Sequence, residues 1–235
     1  MAPHETLPPG APGATAPPAS ATRTVLRALC PVRHWRRTIV LAALAAIIGG
    51  AWWLWDQVLQ DRFVARNWGI VEEGRIYRSG MLSPYMVGKM LRLRNIKVIV
   101  SLVNEERRVD QQAERDAAAE LGVQRILLPL VGDGTGNILH YAKAIAAIVQ
   151  ADKEGKGVLV HCVAGTHRTG GVVCMYRVFV QGWRPEDAWR ELADYGFSPK
   201  RPVLREYLNE NMAELARLLV EMGVIARVPQ PLPRL

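Results

Sequence analysis

The chain has 235 residues, with 30 basic and 22 acidic side chains and a net charge of +8. That length holds one well-buried domain with extensions and excludes two full domains. So mild a basic excess, with no RNA or DNA module in view, excludes a nucleic-acid footprint and suits phosphorylated substrates or anionic headgroups.

The first 20 residues contain six prolines and almost no large apolar side chain. Such a segment cannot bury a core, so residues 1–37 read as a disordered Pro/Ala-rich and basic tail. Residues 38–55, TIVLAALAAIIGGAWWLW, are 18 in a row without a charge. As a helix they would rise roughly 27 Å, near the hydrocarbon thickness of a bilayer. Trp52, Trp53 and Trp55 gather at one end, as interfacial aromatics do. A single transmembrane helix is expected, against two alternatives: a cleaved secretory signal, for which the preceding stretch is long, or a buried core helix. Arg23, Arg27, Arg33, Arg36 and Arg37 precede the span, and Arg62, Arg66 and Arg75 follow it. The positive-inside bias places the N-terminus in the cytoplasm and the rest of the chain in the periplasm or another exoplasmic space. Residues 56–67 read as a linker.

Residues 68–223 alternate strand and helix signals. A short strand pair is expected near Ile70 and Ile76, inside and just before GRIYRSGMLSP (residues 74–84), where Ser83 with Pro84 starts a helix. A strand over 98–102 leads to a helix over 111–121 stopped by Gly122. The next strand spans 125–128, and Asn137 caps a helix to about Gln150. The β-branched run before His161 is a buried strand. Three helices follow, over 169–181, 185–195 and about 202–222. VPQPLPRL then reads as an unstructured end, within a tail at 224–235. Strands joined by crossover helices imply an α/β fold, a largely parallel central sheet flanked by helices. Its site lies beyond the carboxyl ends of the strands.

HCVAGTHRTG (residues 161–170) joins the last strand to its helix. Cys162 and Arg168, separated by five residues, can wrap one phosphate where unpaired N–H groups and the positive helix end converge. A thiol of pKa about 8.5 falls toward roughly 4 to 7 in such surroundings. The planar arginine fork matches phosphate as lysine cannot. A buried structural cysteine beside a capping threonine would explain neither Arg168 nor Gly165. Thiolate attack on a phosphate ester also needs a general acid near the leaving oxygen. Asp133, in PLVGDGTGN between glycines that would permit closure, competes with Asp110 in the charged stretch VNEERRVDQQAERD, which reads as a solvated helix start. A plain Asp-Gly turn is the alternative at Asp133.

HCxxGxxR followed by Thr resembles the signature of cysteine-dependent protein tyrosine and dual-specificity phosphatases. YRSG at residues 77–80 is similar to the N-terminal segment of their compact, atypical members, many of them bacterial. The resemblance covers about residues 68–222 and implies a protein tyrosine phosphatase-like fold. It implies that Cys162 is the nucleophile, Arg168 the bidentate clamp and Thr169 the hydroxyl that eases departure of the sulfur. Asp133 would be the general acid, Gly165 the tight turn, and His161 a hydrogen bond that holds the loop. Val163, Ala164, Gly165, Thr166, His167 and Arg168 would bind the substrate phosphate. Relatives that act on highly phosphorylated inositides often carry lysines inside this loop, and here there are none, which weakens a polyphosphate substrate. The expected reaction is hydrolysis of phosphomonoesters, phosphotyrosine first and phosphoserine or phosphothreonine also in range, through a phosphocysteine. A lipid or lipid-linked phosphate is the alternative substrate, and an inert phosphate-binding module the alternative class. No cofactor or metal is expected, since no cysteine has metal-ligand spacing with a histidine. Cys30 precedes the apolar span, and Cys174 reads as a core residue. The sequence carries no signal of oligomeric state.

Overall fold

The computed structural model describes residues 31–55, 64–104, 108–198 and 202–235. Most of the expected tail, with His4 and Cys30, and residues 56–63 of the expected linker lie outside the described residues. Helix α1 (Pro31–Leu54) takes in the apolar segment and begins before it. Its stretch Trp35–Leu54 is long and apolar enough to cross a membrane. Ile47, Ile48, Trp52 and Trp53 all stand exposed on it.

Residues 64–235 carry a five-stranded mixed sheet in the order β1-β2-β5-β3-β4. Its strands are β1 (Gly69–Glu72), β2 (Ile76–Ser79), β3 (Ile96–Ser101), β4 (Gln124–Leu127) and β5 (Gly157–His161). β1 runs antiparallel to β2, and the other pairs are parallel. The expectation of a largely parallel sheet therefore holds for all but one edge, where the short turn from β1 to β2 permits only an antiparallel return.

Alternation along the strands divides the core. Ile76, Val98, Val100, Val158 and Val160 face one cluster. Tyr77, Ile99 and Leu159 face the other, with Val87 and Leu91 of α2 (Val87–Leu93) and Ala118 of α3 (Val109–Leu121). On the first face lie α4 (Ile138–Lys153) and α5 (His167–Phe179). β2, β5 and β3 end level, with Ser79, His161 and Ser101 as register partners. The chain thus leaves β5 into residues 162–166 at the middle of the sheet's carboxyl edge.

The last third differs from expectation at three places. The helix expected over 185–195 is α6 (Pro185–Glu191) continued by a 3-10 turn, Leu192–Tyr195. The single helix expected over 202–222 is two, α7 (Val203–Glu210) and α8 (Met212–Glu221). They break at Asn211, whose side-chain amide donates to the Tyr207 carbonyl at 2.8 Å. Asparagine competes for backbone groups in this way and interrupts a helix that its apolar pattern would continue. The expected unstructured end is instead packed down. Val224, Ile225 and Val228 lie against the core, and Leu235 is buried. Asn209 accepts from the Leu235 N–H at 2.9 Å. Prolines exclude helix there, but the apolar residues between them still bury.

Candidate active site

The segment between β5 and α5 folds as it does because of one close approach. Gly165 has φ +75°, and a Cβ on it would lie 2.5 Å from the Gly80 nitrogen and 2.6 Å from the Ser79 carbonyl carbon. Only glycine fits there on both counts. Across the same contact, a Cβ on Gly80 would meet the Val163 carbonyl oxygen at 2.8 Å. That oxygen accepts from the Met81 N–H at 3.0 Å. The YRSG segment is thus the seat on which the loop rests.

Cys162 is buried, and its sulfur accepts from the Gly165 N–H at 3.2 Å. Burial alone would push the thiol up. The hydroxyl and N–H of Thr169, the Arg168 guanidinium and the Gly165 N–H outweigh it and hold the thiol below its ordinary value. Thr169 is fully buried, and its hydroxyl makes no hydrogen bond to another of the described residues. Arg168 donates from Nη1 to the Leu102 carbonyl at 3.3 Å, and its buried Nε makes no hydrogen bond. It lines a cavity of about 120 Å³ with Val163, Met81, Val103, Arg108 and Gln111. The His167 ring packs edge-on against Phe197, with centroids 5.2 Å apart.

The loop is braced by residues that the sequence did not single out. Asn67 donates to the Ala164 carbonyl at 2.8 Å and to the Thr166 hydroxyl at 3.0 Å. It belongs with the domain, although the linker was expected to reach residue 67. The Thr166 hydroxyl donates to the Tyr195 carbonyl at 3.1 Å. His161 Nδ1 lies 3.3 Å from the Cys162 carbonyl, and its Nε2 lies 2.9 Å from a Glu114 carboxylate oxygen. Arg125 reaches the other Glu114 oxygen at 3.0 Å. Glu114 sits in the stretch expected to be solvated and is buried. Burial would raise its pKa, but His161 and Arg125 hold it down at about 2. Burial would likewise depress His161, and Glu114 raises it above its ordinary value.

Asp133 occupies a loop whose next residue, Gly134, approaches the α5 terminus. A Cβ on Gly134 would lie 3.3 Å from the His167 carbonyl oxygen and 2.8 Å from Leu204. The Asp133 carboxylate accepts from the Thr135 N–H at 2.9 Å and the Thr135 hydroxyl at 2.7 Å. The Thr135 N–H and hydroxyl hold it below its ordinary pKa. The flanking glycines were expected to permit closure. In this structure the Tyr141 hydroxyl donates to the Gly134 carbonyl, and that of Tyr207 to the Gly136 carbonyl at 2.7 Å. Asp110 is in the first turn of α3, 3.6 Å from Arg108. Among the described residues no cluster of His, Cys, Asp and Glu is placed to hold a metal ion.

Glu114→Gln removes the partner that raises the His161 pKa, and burial then lowers that of the imidazole. Breaking a buried pair costs about 3 kcal/mol or more. The raised His161 contributes stability below pH 6.5 that is lost as pH rises through its folded pKa, and the lowered Glu114 contributes stability above pH 4.5 that is lost as pH falls toward about 2. The stability difference between wild type and variant, read by urea denaturation, is therefore expected to be largest between pH 4.5 and 6.5. A difference constant with pH would show that the pair does not titrate with folding.

The family profile described as "Dual specificity phosphatase, catalytic domain" matches residues 83–219. The dual specificity protein phosphatase TpbA of Pseudomonas aeruginosa is 30% identical over 122 residues, 52% of this chain and 51% of that one. The chain thus spans about half the length of the curated relatives it matches. The crystal structure of P. aeruginosa TpbA has a TM-score of 0.54 at 23% identity, covering 67% of this chain and 91% of the other. The core catalytic domain of the PP-IP phosphatase SIW14 from S. cerevisiae has a TM-score of 0.55 at 19% identity, covering 72% and 97%. With the profile covering more than half of its length, this chain belongs to the dual-specificity phosphatase catalytic-domain family.

Proposed function

We propose that the chain is a membrane-anchored phosphatase that hydrolyses protein phosphomonoesters, phosphotyrosine foremost, through a phosphocysteine. The observation that carries this reading is the buried Cys162 sulfur at the start of α5, which accepts from the Gly165 N–H at 3.2 Å and whose pKa Thr169, Arg168 and that N–H lower despite burial. In the first step the sulfur attacks phosphorus, the bond to the ester oxygen breaks, and Asp133 gives that oxygen its proton. Arg168 and the backbone N–H groups from Val163 to Arg168 hold the equatorial oxygens. In the second step water attacks the phosphocysteine, the Asp133 carboxylate takes its proton, and the Thr169 hydroxyl stabilises the departing thiolate. No metal or cofactor takes part in either step.

Cys162→Ser is expected to abolish turnover of an aryl phosphate and of phosphotyrosine peptides while phosphate-ester binding persists, because a serine hydroxyl is not ionised by the same loop. Residual turnover above about a thousandth of wild type, roughly 4 kcal/mol of lost transition-state stabilisation, would exclude Cys162 as nucleophile. A preference for phosphoinositide vesicles over phosphopeptides by the wild-type chain would move the substrate to the lipid class.

Asp133→Asn is expected to cost most with phenyl or alkyl phosphates, whose leaving groups need a proton, and least with activated aryl phosphates. Because Thr135 lowers Asp133, the protonated acid is lost early as pH rises, and the basic limb of kcat/KM lies on the acid side. Thr135→Val removes one of the two donors, so Asp133 rises and that limb moves to higher pH. An equal loss across leaving groups, or the dependence appearing at Asp110→Asn, would take the role away from Asp133.

α1 is the proposed anchor, with the N-terminus cytoplasmic and the catalytic domain exoplasmic, on the strength of the arginines that precede the apolar stretch. The full chain is expected to stay with membranes through alkaline carbonate extraction, and a reporter after Leu235 to behave as exoplasmic. Release by carbonate would argue for cleavage, and a cytoplasmic reporter would reverse the orientation.

A further inference from the structure

The YRSG segment does more than seat the loop. Arg78, its arginine on β2, is fully buried. Its Nη2 donates to the Gly165 carbonyl at 2.9 Å, and its guanidinium lies 3.6 Å from the centroid of the Tyr195 ring. Nε and Nη1 have no partner. A guanidinium taken this far from water ordinarily requires a carboxylate, since the effective cost of burying one ion is several kcal/mol. Among the described residues none pairs with it. The carboxylate that acts on it electrostatically, Glu191, is committed to Arg177, with its two oxygens at 2.7 and 3.2 Å from that guanidinium. Tyr195, whose ring stacks on the guanidinium, favours its charge most, Arg177 opposes it, and the Cys162 sulfur, across Gly165, is a further group whose negative charge favours it.

We propose that Arg78 is a positioning residue that serves as the buried counter-charge of the Cys162 thiolate, the two being joined through Gly165. The Gly165 carbonyl accepts from Arg78, and its N–H donates to the sulfur at 3.2 Å. The glycine is thus fixed at both ends, and each charge makes the other tolerable away from water. The planar guanidinium stacks on Tyr195 and reaches the carbonyl at the same time, while its charge is what the sulfur answers. The inference rests on the reading of Cys162 as a thiolate.

The sulfur is also faced by Arg168 and Thr169 from α5, by His161 of β5 with its partner Glu114 of α3, and by Tyr141 of α4. All of these are left intact in the test. The rate of Cys162 alkylation by iodoacetamide, read by peptide mass on the full-length chain, is followed against pH for wild type, Arg78→Met, Arg78→Gln and Arg78→Lys. The two neutral variants are expected to raise the midpoint by about one unit, about tenfold less thiolate below it. Arg78→Lys, which keeps the charge, is expected to stay near wild type. Burying a neutral side chain in place of a charge removes a desolvation cost, so both neutral variants are expected to fold, and either one alone decides. A wild-type midpoint in Arg78→Met or Arg78→Gln would overturn the proposal. So would a midpoint in Arg78→Lys as high as in the neutral pair, because hydrogen-bond geometry and not charge would then be responsible. Alkylation does not depend on turnover, so a failure here is distinct from persistent activity in Cys162→Ser, which would overturn the nucleophile itself.

Discussion

The approach of Gly165 to the Ser79–Gly80 peptide is the contact on which the site depends. It leaves no room for a Cβ and sets the glycine at φ +75°. The turn in the loop follows from that conformation, and with it the aim of the Gly165 N–H at the sulfur. β2 reaches this position because its register with β5 brings Ser79 level with His161. The sheet therefore places the seat and the loop in one stroke. The helix that follows adds the Thr169 hydroxyl and the Arg168 charge on the sulfur's other neighbours, and their sum exceeds the desolvation that burial imposes.

Two buried ion pairs fix relations between elements that hydrophobic packing alone would leave free to slide. Glu114 of α3 joins His161 at the end of β5 to Arg125 on β4. Arg177 of α5 joins Glu191 of α6 to the Val71 carbonyl on β1, at 2.9 Å for the latter. Such pairs add little net stability, because desolvation offsets most of the attraction. Their directionality is what matters here. A shift of α3 by one turn would part Glu114 from both His161 and Arg125 and leave its carboxylate unpaired away from water.

What the sequence made legible was local. Residues 161–170 form one strand end, one turn and one helix start, so their spacing alone carried the geometry. Asn137 as a cap was legible for the same reason, and its side chain accepts from the Leu139 N–H at 2.9 Å. Asn67 was not, because its partners Ala164 and Thr166 lie nearly a hundred positions away and an asparagine before a tryptophan carries no pattern. Glu114 was hidden by its neighbours. Arg115, Asp116 and the other charges around it make the helix look solvated, while the face bearing Gln111, Glu114 and Ala118 is buried. The i, i+3, i+7 spacing of those three was the available signal. The C-terminal segment misled through its prolines, which exclude helix but not burial.

The loop that carries Asp133 has the glycines of a hinge and the contacts of a fixed element. Gly134 and Gly136 have φ values of +97° and +135°, and Leu204 occupies the space where a side chain on Gly134 would stand. These glycines answer to fit, and a substitution at Gly134 would collide before any motion came into question. The hydroxyls of Tyr141 and Tyr207 then secure the carbonyls on either side of Thr135. In the proposed mechanism a carboxyl held in this way is oriented before substrate arrives, so that little free energy is lost in arranging it when the leaving oxygen needs a proton. The same fixation keeps Thr135 against Asp133 and so favours the carboxylate. That state suits the second half of the proposed reaction, in which a water is oriented and deprotonated. In the proposed first half, an incoming phosphate dianion would raise the pKa of a neighbouring carboxyl by its negative charge and so favour the protonated acid once bound.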